Sequence, residues 1–364
     1  MKATARPPAP QRILILLERD LRPADVERIR AIAGRGPESW LADEHESVVL
    51  EITRDDVTPA SLRALRSIAG VRHVVPVTTP HPLVSSLDDS SSQVRIGIAT
   101  ISSRTFTLIA GPCAIETPEQ SSAAWDAAAG AGASVLRGDL FKHRTSPYGF
   151  KGIGRVGLEL LAEHRRRLGL PVVVEVLSPR QLELVADVVD LVRVGARNMQ
   201  NRDLLLACGR SGKPVMLKRG LTATIEEWLL AAETVASCGN LNIVLCERGI
   251  RTFEPATRNT LDLSAIGVVR ERCQLPIVVD PSHASGRRQL VPSLALAAVA
   301  AGADGVMIDV HPQPDQALCD GLQALLPHDI ARLGPRLAQL ARLMGRAAGS
   351  PAASGSGELD RRQR

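Results

Sequence analysis

The segment Ala133-Ser-Val-Leu136, followed by Arg137-Gly-Asp-Leu-Phe-Lys142-His-Arg144-Thr145-Ser146-Pro147-Tyr148, joins a short apolar run to a dozen residues dense in cations and hydroxyls. The run has the length of a buried strand. A cation left unpaired beside a core costs on the order of several kcal/mol. Arg137, Lys142 and Arg144 are therefore expected to meet an anion, and guanidinium forks with neighbouring hydroxyls suit phosphate or carboxylate. The plainer alternative is an exposed basic loop.

Outward from this segment the same texture repeats. Apolar runs stand at 107–110, 134–136, 171–174, 191–194, 215–217, 243–245, 277–279 and 306–308, each followed by a helical stretch. Eight alternating units predict a (β/α)8 TIM barrel, an α/β fold. An open doubly wound sheet would carry a glycine-rich turn after its first strand, and none is present.

Barrel sites lie at the carboxyl ends of the strands. Just past the runs stand Cys113, then Arg137 with Lys142 and Arg144, then Glu175, Arg197, Lys218, Arg248, His283 and Asp309. Any one of these could be a solvated charge or a helix cap; random loops would not supply such a residue after every run. The cations exceed the needs of one phosphate, so they fit two phosphorylated substrates, or a phosphate and a carboxylate. Cys113, His283, Asp309 and Asp320 form a mixed S/N/O set suited to a divalent metal ion, Mn²⁺, Fe²⁺, Zn²⁺ or Co²⁺. A buried free cysteine is equally at home as a small core hydrophobe.

Before the barrel, strand and helix patterns alternate as β-α-β-β-α-β over residues 11–78. Strands are expected at 12–18, 39–45, 47–53 and 71–77, with helices from Arg22 and from Pro59, the latter capped by Thr58. This is the ferredoxin-like order, a small α+β domain. Residues 1–10 read as a disordered leader, 79–103 as a linker rich in Pro, Ser and Thr, 104–346 as the barrel, and 347–364 as a disordered tail.

Aromatics make up 2% of the 364 residues, which argues against single-stranded nucleic acid as a partner. The net charge of +5 is spread along the chain and suits a small anionic substrate. No run is apolar for 18 residues and no signal-peptide pattern opens the chain, so no membrane role is expected. Six cysteines without CxxC spacing suggest a reducing, cytoplasmic setting.

Leu108-Ile-Ala-Gly-Pro-Cys-Ala-Ile-Glu-Thr117, the opening segment, Val194-Gly-Ala-Arg-Asn-Met-Gln-Asn201, Leu217-Lys-Arg-Gly220, Cys246-Glu-Arg-Gly249, Val279-Asp-Pro-Ser-His-Ala-Ser285 and Met307-Ile-Asp-Val-His-Pro312 together resemble the 3-deoxy-D-arabino-heptulosonate 7-phosphate (DAHP) synthases. The N-terminal unit resembles the regulatory domain of the type Iβ members. The resemblance implies condensation of phosphoenolpyruvate with erythrose 4-phosphate, the first step of the shikimate pathway. It implies that Arg137, Lys142, Arg197, Lys218 and Arg248 hold phosphoenolpyruvate, with Glu175 orienting these cations. Arg144, Thr145 and Ser146 would take the aldose phosphate. Cys113, His283, Asp309 and Asp320 would bind the metal, and Lys142 would donate a proton. It further implies a homo-oligomer, tetramer or dimer, with an aromatic amino acid as effector. A sister activity on a pentose phosphate, making 3-deoxy-D-manno-octulosonate 8-phosphate, and a non-catalytic metabolite-binding paralogue are the alternatives. Three positions depart from the family pattern. Asp309 stands where Glu is usual, His143 where Pro is usual, and Asp139 where a second Gly is usual.

Overall fold

The computed structural model describes residues 11–18, 21–33, 38–40, 49–54, 58–87, 92–143 and 146–348. The expected leader at 1–10, residues 349–364 of the tail, and Arg144 and Thr145 lie outside the described residues.

The first unit runs β1 (Gln11–Leu17), α1 (Pro23–Ala33), β2 (Glu38–Trp40), β3 (Val49–Arg54), α2 (Pro59–Arg66) and β4 (Val71–Pro76). Its strands form an antiparallel sheet in the order β2-β3-β1-β4. Thr58 caps α2 in a capping box with Ser61, and Pro59 follows where the missing N–H costs nothing. Side chains alternate across β1. Ile13, Ile15 and Leu17 pack with Ile29 of α1 and Leu65 of α2, whereas Leu14 and Leu16, with Val49 and Val75, join the core shared with the barrel helices. Both faces of this sheet are therefore covered.

Residues 79–103 depart from the expected linker. They hold a one-turn helix, α3 (Pro82–Ser85), and a hairpin, β5 (Val94–Ile96) with β6 (Ala99–Ile101). The barrel follows as β7 (Thr105–Gly111), α4 (Pro118–Gly130), β8 (Val135–Arg137), α5 (Gly157–Leu168), β9 (Val172–Val176), α6 (Pro179–Val185), β10 (Leu191–Val194), α7 (Arg202–Arg210), β11 (Val215–Lys218) and α8 (Ile225–Ala236). It continues through β12 (Ile243–Glu247), α9 (Ser264–Arg272), β13 (Ile277–Val279), α10 (Pro281–Ser285), α11 (Val291–Ala300), β14 (Gly305–Asp309), α12 (Pro327–Leu343) and β15 (Ala347–Ala348). Strands β7 to β14 pair in parallel with their neighbours, and β14 pairs back with β7 to close the ring. Glycine is required at that seam: a Cβ on Gly305 would lie 2.4 Å from the Thr107 carbonyl oxygen.

The stretch taken for a linker is held by burial. Leu83, Val84 and Leu87 are buried where α3 packs on α8, and the Glu233 carboxylate of α8 accepts the N–H groups of Leu83 and Val84, each at 2.9 Å. Val94, Ile96, Ala99 and Ile101 of the hairpin pack against Ile109, Val135, Val173, Leu191, Met216, Val244 and Val278 inside the barrel. The hairpin thus plugs the amino-terminal mouth and leaves the carboxyl end of the strands as the open one. Beyond Arg346, the two residues of β15 pair with β7 at Thr105 and Phe106.

Candidate active site

At the carboxyl end of the strands lies a cavity of about 300 Å³ lined by Lys142, Ser146, Glu175, Arg197, Lys218, Arg248, Arg258, His283 and Asp320, among others. Six of these were expected from the order of strand ends, Ser146 from the family resemblance and Asp320 from the metal set. Arg137, Cys113 and Asp309 stand behind its wall, each almost completely buried.

Each strand end presents its side chain for a local reason. Asp280 follows β13 and caps α10, accepting the His283 N–H at 2.9 Å. The same carboxylate lies 2.9 Å from His283 Nδ1 and accepts from Lys218 Nζ. With Nδ1 so held, Nε2 is presented to Cys113 Sγ at 3.7 Å and to Asp320 Oδ2 at 3.6 Å. A carboxylate behind one imidazole nitrogen is the arrangement that orients a metal-binding histidine. Asp280 and Asp309 hold the imidazolium against the pull of burial, raising its pKa to about 10. Cys113 is pushed well above the usual thiol range by its contact with Cys319 and by burial, with Lys142 opposing. Cys113 Sγ lies 3.3 Å from Asp320 Oδ2, so sulfur, imidazole nitrogen and carboxylate oxygen face one point. Those donor types fit a divalent transition metal.

A second network sits beneath. Asp139 is fully buried and accepts from Lys142 Nζ at 2.9 Å, Arg137 Nη2 at 3.2 Å and Arg193 Nη2 at 2.5 Å. Burial works to raise its pKa, but Arg193, Lys142 and Arg137 outweigh it and hold the carboxyl well below the usual range. Arg137 also donates to Asp309, and its Nη2 to the Cys113 carbonyl at 3.1 Å. Arg193 reaches Glu175 Oε2 at 3.1 Å. Lys142 Nζ stands 3.1 Å from Cys113 Sγ.

Arg248 differs from these paired cations. It is 4% exposed, its Nη1 has no hydrogen-bond partner among the described residues, and burial depresses its pKa against the pull of Asp280. A desolvated guanidinium nitrogen at a cavity wall calls for an anion.

Sequence reasoning left out Arg193, Arg258, Asp280 and Cys319, and it gave Asp139 no role. Arg193 did leave a trace, being the one cation within the otherwise apolar Leu191–Val194 strand. Cys319 stands directly before Asp320, and the adjacency was the available clue. Arg258 reaches Asp320 at 3.1 Å and Asp280 reaches Lys218 from a different strand, pairs that no spacing announces, whereas Asp280 and His283 lie three residues apart at one helix cap.

Comparison with known proteins bears on this geometry. Phospho-2-dehydro-3-deoxyheptonate aldolase of Thermotoga maritima is 47% identical over 281 residues, which cover 77% of this chain and 83% of that protein. The crystal structure of the Thermotoga maritima enzyme superposes with a TM-score of 0.72 at 39% identity, covering 93% of this chain and 99% of that one. The 2-dehydro-3-deoxyphosphooctonate aldolase of Syntrophotalea carbinolica is more distant, at 37% identity over 60% of this chain and 84% of its own length. The model of the DAHP synthetase I family matches residues 86–345, the hairpin and the whole barrel, and the chain belongs to that family.

Proposed function

We propose that the chain condenses phosphoenolpyruvate with erythrose 4-phosphate and water to give DAHP and inorganic phosphate. The observation that carries the reading is the cavity wall where Arg197, Lys218 and the unpartnered Nη1 of Arg248 face the same space as His283 and Asp320. Arg197, Lys218 and Arg248 hold the phosphate and carboxylate of phosphoenolpyruvate. Ser146, on the exposed rim, takes the aldose phosphate with Arg144 and Thr145. Arg137 supports the site from behind by fixing Asp309 and the Cys113 carbonyl. Glu175 steadies Arg193 beneath the floor. Lys142, an ammonium at the cavity edge, is placed to donate a proton as the new carbon–carbon bond forms. A divalent metal bound by Cys113, His283 and Asp320 supplies Lewis acidity to the aldehyde oxygen. The N-terminal sheet with its two helices serves as a ferredoxin-like regulatory domain answering to an aromatic amino acid, in a tetramer or dimer. No helix among the described residues is long and apolar enough to cross a membrane, in keeping with a cytoplasmic enzyme.

The test is phosphate release from phosphoenolpyruvate with erythrose 4-phosphate and arabinose 5-phosphate in parallel, after chelation and after Mn²⁺ is restored. Metal-restored turnover with the four-carbon sugar is expected. Turnover with the pentose phosphate alone would transfer the chain to the sister activity. None with either, in a folded protein, would leave a binding role.

A further inference from the structure

We propose that Cys319 is a ligand of the metal, so that the centre carries two thiolates, and the inference rests on the metal-dependent reading above. Cys319 is 3% exposed, with its Sγ 3.7 Å from Cys113 Sγ and 3.5 Å from Asp320 Oδ2. Two thiolates bound at ~2.3 Å to a tetrahedral ion stand about 3.8 Å apart, so the sulfurs are already spaced to share one. None of the six cysteines forms a disulfide, so no such bond claims the pair.

The backbone is shaped to deliver both side chains. In extended chain, successive side chains point to opposite sides. Asp320 instead adopts the left-handed conformation, with φ 53° and ψ 33°, and is the one non-glycine residue with positive φ among those described. That turn brings Cys319 and Asp320 together onto Cys113. A non-glycine residue in this region is uncommon, and such strain clusters at functional sites.

Asp309 is held at both oxygens. One of its carboxylate oxygens accepts from Arg137, and the other accepts from Gln323 Nε2 at 2.6 Å. It does stand within 4.8 Å of a Cys113 and His283 donor, but its 3.5 Å approach to His283 is to Nδ1. Cys113 and Asp320 gather at Nε2 instead. Asp309 anchors Arg137 and Gln323 and keeps lone pairs on both oxygens, so Cys319 is a donor beside it on the Cys113 and Asp320 side. A second soft ligand shifts selectivity from Mn²⁺ toward Zn²⁺ or Co²⁺.

Co²⁺ titration of the full-length, chelator-treated protein tests this, because thiolate-to-cobalt charge-transfer absorption grows with the number of bound sulfurs. Cys319→Ser is expected to bind Co²⁺ with about half the near-ultraviolet intensity of the parent. X-ray absorption on the zinc-loaded parent, which needs no variant to fold, should give two sulfurs in the first coordination shell. One sulfur in the parent, with a cobalt spectrum unchanged by Cys319→Ser, would overturn the inference while leaving the metal reading intact. Failure of the folded parent to bind Co²⁺ or Zn²⁺ would remove both.

Discussion

Asp139 receives Lys142 at 2.9 Å, Arg137 at 3.2 Å and Arg193 at 2.5 Å, with no exposure to solvent. Removing one member of a buried ion cluster leaves the others uncompensated, at a cost of about 3–5 kcal/mol. Asp139→Asn is accordingly expected to lose that much stability in urea denaturation. Because the folded carboxyl titrates below its unfolded value, its contribution is complete above the unfolded pKa and is lost only as the pH falls through the depressed one. The deficit of the variant should therefore be flat from about pH 5 to 8. A deficit under about 1 kcal/mol would show that the three cations do not depend on this carboxylate. The residue scale is also where the sequence was least informative. Lys142, Lys218, Arg248 and His283 could be found because each stands at or just past a strand end, and the fold dictates where strand ends go. Asp139 lies in the same loop as Lys142, yet its partner Arg193 comes from a strand two positions round the barrel. Only the closed ring sets that pair together.

On α8, the Glu233 carboxylate receives the first N–H groups of α3 and joins the barrel wall to the segment leading into it. Burial raises its pKa to about 7 from 4.5, against the two N–H donors that favour its ionised form. The folded state then holds this proton more tightly than the unfolded chain between pH 4.5 and 7. Its share of stability falls as the pH rises through that window and is level above it. Two turns earlier on α8, Glu226 faces His81 at 3.6 Å and Arg272 at 2.8 Å, so the charges next along this contact are already matched. Thermal melts of Glu233→Gln should lack the part of the parent's decline between pH 5 and 7, about 1–3 kcal/mol. Parallel curves for the two proteins would exclude Glu233 as its source. The eight strands were legible at this scale because a barrel strand is a short, largely apolar run. The helix α3 and the hairpin were not, since each is too short to show a period. Their burial depends on the apolar surfaces of α8 and of the barrel mouth.

Across the whole molecule, the N-terminal sheet and the barrel meet through α3, and this sets where the chain can be shortened. A chain starting at residue 79 keeps Leu83, Val84 and Leu87 on α8, although it uncovers the patch beneath Leu14, Leu16 and Val75. One starting at residue 91 loses α3 as well and leaves Glu233 without its two donors. The first is expected to turn over and to ignore all three aromatic amino acids, while the second melts at a lower temperature. Equal melting temperatures would show that α3 adds nothing to the barrel, and retained inhibition in the shorter chain would place the effector site elsewhere. The change of texture in the sequence falls near residue 104, whereas the helix and hairpin before it already pack on the barrel. The contact of the first unit with the barrel was legible only in part: Ile13 to Leu17 is apolar at every position, the mark of a strand covered on both faces, but such a run does not say which surface supplies the second cover. The pairing of β15 with the foot of β7 has a further consequence. Ala347 donates to the Arg104 carbonyl at 2.9 Å, so the barrel is entered and left at almost the same spot, at the end away from the cavity. In effect it is a ring with an incidental nick. A circular permutant that sealed the nick and reopened the chain between two outer helices would keep every strand neighbour it now has.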